Sequence, residues 1–143
     1  MNAKAEKFQE YLQEKNITCF QVQELPEDRL NTVIFRSVIA VEGQELPTLV
    51  ILDDSIYSMI RVRVVGSALK EENETELVKS INKLNAQYKV FKYYFAEDGA
   101  LIMDCCLTGK PDKIDGDLVY TIFDVIIKHL QAEYKNIMKL VWA

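Results

Sequence analysis

The chain is poor in the residues that usually announce chemistry. One histidine, three cysteines, three prolines, five glycines and one tryptophan occur in 143 residues, and each scarcity excludes something. A lone His129 cannot build a metal centre with cysteines that lack ligand spacing. Five glycines leave no Gly-rich phosphate loop and no Gly-x-Ser-x-Gly elbow. An odd cysteine count without framework spacing fits a reducing compartment better than a disulfide-stapled scaffold. The sequons at Asn16 and Asn73 are therefore not expected to carry glycans. No stretch approaches the roughly 18 uninterrupted apolar residues of a membrane span, and no basic-then-apolar leader opens the chain. The expectation is a cytoplasmic protein with no membrane partner. Basic blocks are also missing: the net charge of -5 is spread along the chain, which argues against nucleic acid, whose phosphates need a concentrated positive face.

What is present is patterned. With 49% hydrophobic residues, the length suits one domain over 1-143. Ala5, Phe8, Tyr11 and Leu12 form one apolar stripe on a short helix over residues 2 to 15. From Cys19 to Gly66 the period falls to two, through Phe20 and Val22, Val33 to Val41, Leu49 to Leu52, and Ile60, Val62 and Val64, so three or four strands are predicted. Breakers fall at Leu25 to Asp28, at Glu42-Gly43-Gln44 with Pro47, and at Asp53 to Ser55, which makes an antiparallel meander the economical connection. Asn73 with Glu76 predicts a capped helix to about Gln87, presenting Leu77, Val78, Ile81, Leu84 and Tyr88. Two alternating runs around Asp98-Gly99 predict a hairpin. After a loop from Thr108 to Gly116, Asp115 and Asp117 mark the start of a last helix carrying Val119, Ile122, Phe123, Ile126, Leu130, Tyr134 and Ile137. This helix is apolar enough to be the buried central one, with a partner contact left open by Leu118, Val125 and Met138. The order α-β-β-β-(β)-α-β-β-α describes an α+β domain with an antiparallel sheet and three helices.

Adjacent Cys105 and Cys106 raise the question of a reactive site. A two-residue turn at Asp98-Gly99 would pair Phe95 with Ile102, Tyr93 with Asp104 and Phe91 with Cys106 on one face. Tyr94 would meet Met103, and Lys92 would meet Cys105, on the other. Successive side chains on a strand point to opposite sides, so the two thiols cannot act as one dithiol. The only candidate base, His129, sits mid-helix with no local reason to reach them and is expected on the helix surface. The acidic run Asp112 to Asp117 lacks the ligand alternation of a calcium loop, and helix capping explains it. No catalytic residue, metal or cofactor is therefore assigned.

The arrangement that suggests binding is electrostatic. If Ile60, Val62 and Val64 face the helices, Arg61 and Arg63 face away, and Arg36 and Lys92 can join them on the outer face of the sheet. Tyr94, Leu101, Met103 and Cys105 would lie beside that basic stripe, giving a mixed surface for a peptide, a protein or a second copy of the chain. Arginines that only solubilise an exposed face remain the alternative, as does the flipped hairpin, since this assignment buries Asp104 beside Tyr93. Trp142 reads either as a docked helix end or as an exposed anchor.

Ile81-Asn82-Lys83-Leu84-Asn85 at a helix end, the aromatic run Tyr88 to Phe95, the turn Glu97-Asp98-Gly99 and the apolar return Ala100 to Leu107 resemble the signature region of the YbjN-type, or sensory transduction regulator-like, family of bacterial proteins. The family's fold is similar to that of type III secretion chaperones. The resemblance implies a non-enzymatic, chaperone-like or regulatory protein-binding module, often dimeric, with a protein or peptide partner. The alternative function is a small-molecule-binding or enzymatic domain whose residues converge from distant strands around a pocket.

Overall fold

Asn2 turns its side-chain oxygen onto the amide of Ala5 and caps the first helix, α1 (Ala3–Glu14), so that Ala5, Phe8 and Leu12 are buried on one stripe. The computed structural model describes every residue from Met1 to Ala143. Four strands follow α1: β1 (Gln21–Glu24), β2 (Val33–Val41), β3 (Gln44–Leu52) and β4 (Tyr57–Val65). Then come α2 (Glu74–Gln87), β5 (Lys92–Phe95), β6 (Leu101–Thr108) and α3 (Gly116–Val141). The fold is the α+β class read from the pattern, with all four meander strands formed. None of the helices is long and apolar enough to cross a membrane.

Local chemistry sets the connections. Glu42 and Gly43 have φ of 49° and 76° and join β2 to β3 as a two-residue turn, whose left-handed residues match the twist of the strands. Pro47 lies within β3 rather than breaking it, at a point where the ladder to β4, which starts at Thr48, has not begun. Asp115 accepts a hydrogen bond from the Leu118 amide and starts α3 as its spacing predicted. Asn73 precedes α2 but makes no side-chain cap. Its carboxamide instead accepts from the Lys70 amide and donates to the carbonyls of Ala68 and Val141, tying the preceding loop to the end of α3.

All six strands are antiparallel, in the order β1-β2-β3-β4-β6-β5. The late hairpin thus adds to the meander through β6 rather than β5. A bulge between Arg63 and Val65 shifts the β4–β6 ladder before its last pair, Val65 with Leu101, and both Val64 and Val65 are buried there. Inward side chains such as Phe35, Val50, Ile60 and Met103 join the helix stripes in one core of 30 residues. Outward residues such as Ile34, Leu49, Ile51 and Met59 belong to no part of that core. The helices therefore cover one face of the sheet and leave the other open.

The hairpin departs from the predicted register. The Ala96 amide donates to the Ala100 carbonyl, and the Gly99 amide donates back to the carbonyl of Ala96, so the loop holds three residues, Glu97 to Gly99, with Gly99 at φ +82°. Pairing shifts by one position: Tyr93 lies opposite Met103 and Lys92 opposite Asp104. Because strand side chains alternate, a one-residue shift moves every residue of the return strand to the other face.

Candidate functional site: the open face of the sheet

The ladder registers align Gln21, Arg36, Leu49, Arg61, Asp104 and Lys92 into one row across the whole sheet, one residue from each strand. A second row beside it holds Gln23, Ile34, Ile51, Met59 and Cys106. On the other side Val38 pairs with Pro47, and Ile102 lies between Arg63 and Tyr94. Ile34, Leu49, Ile51 and Met59 are half-buried, Val38 is 51% exposed, and no helix lies over them.

Arg36, Arg61, Arg63, Lys92 and Tyr94 all take the outward positions their strands predicted. The cations are not free, however. Arg61 grips Asp104 through two parallel bonds, Nε to Oδ1 at 2.8 Å and Nη2 to Oδ2 at 2.9 Å, a fork geometry that fixes both side chains. The hydrogen bond to Asp104 holds the guanidinium above its ordinary value. Arg63 reaches Asp98 at 3.1 Å, and Asp98 sits below the usual carboxylate range because it first accepts the Ala100 amide and then that guanidinium. Arg36 donates twice to the Gln23 side chain. Lys92 donates to the carbonyls of Asn85 and Tyr88 at the end of α2, where a cation complements the helix dipole. Burial, and then the neighbouring Asp104 carboxylate, push the Tyr94 phenol up.

The shifted register corrects the assignments along the whole return strand. Met103, expected on this surface, is 0% exposed and packs inside. Leu101 and Cys105 are buried with it. Asp104, expected inside beside Tyr93, is the acid of the outer row, and its partner is Arg61. The two cysteines do point to opposite sides, but in exchanged order: Cys106 is exposed on the open face and Cys105 is internal. Burial pushes the Cys105 thiol up to about 11, away from nucleophilic use at neutral pH. Asp104 and Cys106 thus lie on the opposite side of the sheet from Cys105 and His129, so these groups do not line a common cleft.

The sequence reading missed Ile34, Leu49, Ile51 and Met59 as the apolar centre of the face. Their signal was present as the outward members of runs that are apolar at both parities, such as Leu49-Val50-Ile51-Leu52. An exposed sheet face normally alternates with polar residues there.

His129 is also corrected. It is buried, not on the helix surface, and the rings of Tyr88, Phe91 and Tyr93 surround it with centroids at 4.4, 4.5 and 5.8 Å. Its Nε2 shares a 2.7 Å hydrogen bond with the Tyr93 hydroxyl, while Nδ1 has no partner. Burial pulls the imidazole below its ordinary value of 6.5, against a smaller opposing pull from Glu133 one turn on. The unfolded chain therefore takes the proton first as pH falls, and stability is lost from about 6.5 down toward the depressed folded value. Wild type should show a falling Tm between about pH 7.5 and about pH 5.5, and His129→Gln should lose most of that slope. Equal slopes in a thermal denaturation series would contradict this assignment.

Trp142 is 67% exposed, with the Lys70 ammonium 4.0 Å from its ring centroid, so it is an exposed ring clasped by a cation rather than a docked helix end. No family model and no curated protein matches the chain. Fold and site together define a class: an α+β domain whose helices cover one face of its sheet, with an apolar centre on the other.

Proposed function

We propose that the chain is a non-catalytic, chaperone-like or regulatory protein-binding module that receives its partner on the open face of the sheet. The observation that carries this reading is the cluster Ile34, Leu49, Ile51 and Met59, half-buried at the middle of a face that no helix covers. Contiguous apolar surface rimmed by polar groups marks interaction sites. The resemblance to the YbjN-type family supports the same reading. Since Arg36, Arg61, Arg63 and Lys92 are already engaged within the chain, the apolar centre supplies the attraction and the Arg61–Asp104 pair supplies a fixed polar landmark.

Reversing Arg61 is a poor probe, because Arg61→Glu would set two carboxylates opposite each other and disturb the fold itself. Ile51→Lys places a charge at the centre of the face on a side chain that can reach water. The expected result is loss of the polypeptides that co-purify with the tagged protein from its own host, other proteins or untagged copies of this chain, with an unchanged circular dichroism spectrum. An unaltered set of captured polypeptides would overturn the reading.

A further inference from the structure

We infer that the cleft between the start of α3 and the turn joining β3 to β4 is a binding site for the carboxylate of a small aliphatic acid. It lies on the helix side of the sheet, so it is separate from the open face and does not rest on the reading of that face. Its volume is about 320 Å³, at the small end of the range that holds ligands. The walls are apolar. Leu107 comes from the end of β6, where it pairs with Ser58, and Ile114 from the loop that follows. Ile56 in the turn and Leu118 in the first turn of α3 complete them. These last two are 48% and 47% exposed, large aliphatic side chains left in water by two different elements at one depression.

The polar groups of the cleft are mainly donors. Ser58 is 5% exposed, at an inward position of β4. Its oxygen accepts the Lys4 ammonium at 3.0 Å, and a hydroxyl that accepts still has one proton to give. No group of the chain takes that proton, so a buried donor is left in the cleft lining, with the ammonium behind it to strengthen its hold on an anion. Asp53 approaches the same ammonium to 3.9 Å but does not line the cleft. Lys110 and Lys113 do, drawn into one turn by the Lys113 amide on the Lys110 carbonyl at 3.2 Å. Neither belongs to an ion pair. Their loop is held at two points, by the Gly109 amide on the Ile56 carbonyl at 2.9 Å and by the Lys7 ammonium on the Asp112 carbonyl at 2.7 Å. Asp115, the acid of the lining, turns Oδ1 to the Leu118 amide and is outnumbered by the two lysines.

A carboxylate answers this set of groups. It only accepts, so one oxygen takes the Ser58 proton while the other meets Lys110 or Lys113, whose flexible stems reach inward. Hydrogen bonds to an ionised acceptor are the strong ones. The hydrocarbon then lies along Leu107, Ile114, Ile56 and Leu118 and removes the exposed pair from water. An alkylammonium of the same length brings a donor to a donor and a cation to two cations. An alcohol answers Ser58 and leaves the lysines without a partner.

The test is a titration of the isotope-labelled protein with sodium octanoate, read by NMR amide shifts, with octylammonium and octanol as comparison ligands. Expected are saturable shifts at Ser58, Gly109, Ile114 and Leu118, and octanoate bound about tenfold more tightly than either comparison ligand, as a charge-assisted hydrogen bond allows. Lys110→Glu combined with Lys113→Glu changes two exposed side chains and should weaken octanoate about tenfold. Leu118→Asp sets a carboxylate at the mouth, at a helix start that tolerates an acid, and should weaken it by a similar factor. The amide spectrum of each variant reports at once whether it is folded. Equal affinity for octanoate and octylammonium, wild-type affinity in both cleft variants, shifts centred on Leu49 and Ile51, or no saturation by about 10 mM would overturn the inference. Ile51→Lys should bind octanoate as wild type does while losing its captured polypeptides, so the cleft and the open face stand or fall separately.

Discussion

Replacing Lys4 with methionine should lower stability by about 3 kcal/mol and the Tm by roughly 10 °C, read by thermal denaturation. Lys4 is 1% exposed, and its ammonium donates to the carbonyls of Ser55 and Tyr57 at 2.9 and 2.7 Å and to the Ser58 hydroxyl at 3.0 Å. It thereby fastens the start of α1 to the turn between β3 and β4. Two effects compete. Burial pulls the lysine below its ordinary value, against the attraction of Asp53, so removing the charge recovers some desolvation. Methionine keeps the stem but leaves three acceptors without their donor, each worth ~1–3 kcal/mol when buried. The acceptors outweigh the recovered desolvation because one group serves all three. An unchanged Tm would mean that water satisfies the turn and the ammonium contributes nothing.

Phe8→Ala should cost still more, about 4 kcal/mol and roughly 15 °C in Tm. Phe8 is fully buried and meets Phe35 edge-on with ring centroids at 5.0 Å, Phe20 at 5.9 Å and Tyr11 at 6.4 Å. The ring joins α1 to β2, and its neighbours on α1 itself, in the loop before β1 and on β2 cannot all move into the space it vacates. Phe8→Leu, which keeps most of the volume, should lose about 1.5 kcal/mol. Similar losses for the two variants in urea unfolding would show that the aromatic cluster repacks freely.

Much of this core was legible because helix and strand periods name the inward residue without reference to anything distant. Phe8 lies on the stripe of its helix, and Ile60 and Val62 alternate with outward Arg61 and Arg63. The hairpin failed on a single count: Asp98-Gly99 fits a two-residue turn as well as the end of a three-residue one, and the difference exchanged Met103 with Asp104. Lys4 gave no signal in the sequence and His129 was placed on the surface for another reason. Their burial depends on what chain more than thirty residues away lays over them, the Ser55–Ser58 turn for one and the rings of Tyr88, Phe91 and Tyr93 for the other. The open face was half legible: strand parity placed its cations outward, but their engagement with Asp104, Asp98, Gln23 and the end of α2 depends on register and side-chain reach.

The pairing of β4 with β6 also sets a timetable for synthesis. Thirty-five residues, Gly66 to Ala100, separate the two strands, so at ~5–20 residues per second a ribosome delivers the missing neighbour about 2 to 7 s after β4. During that interval β1 to β4 can zip by local hairpins, while the far side of β4 stays open to any other nascent strand. Arg61 and Arg63 sit on that waiting strand as charged guards against such pairing, and the arrival of Asp104 relieves Arg61 of the duty.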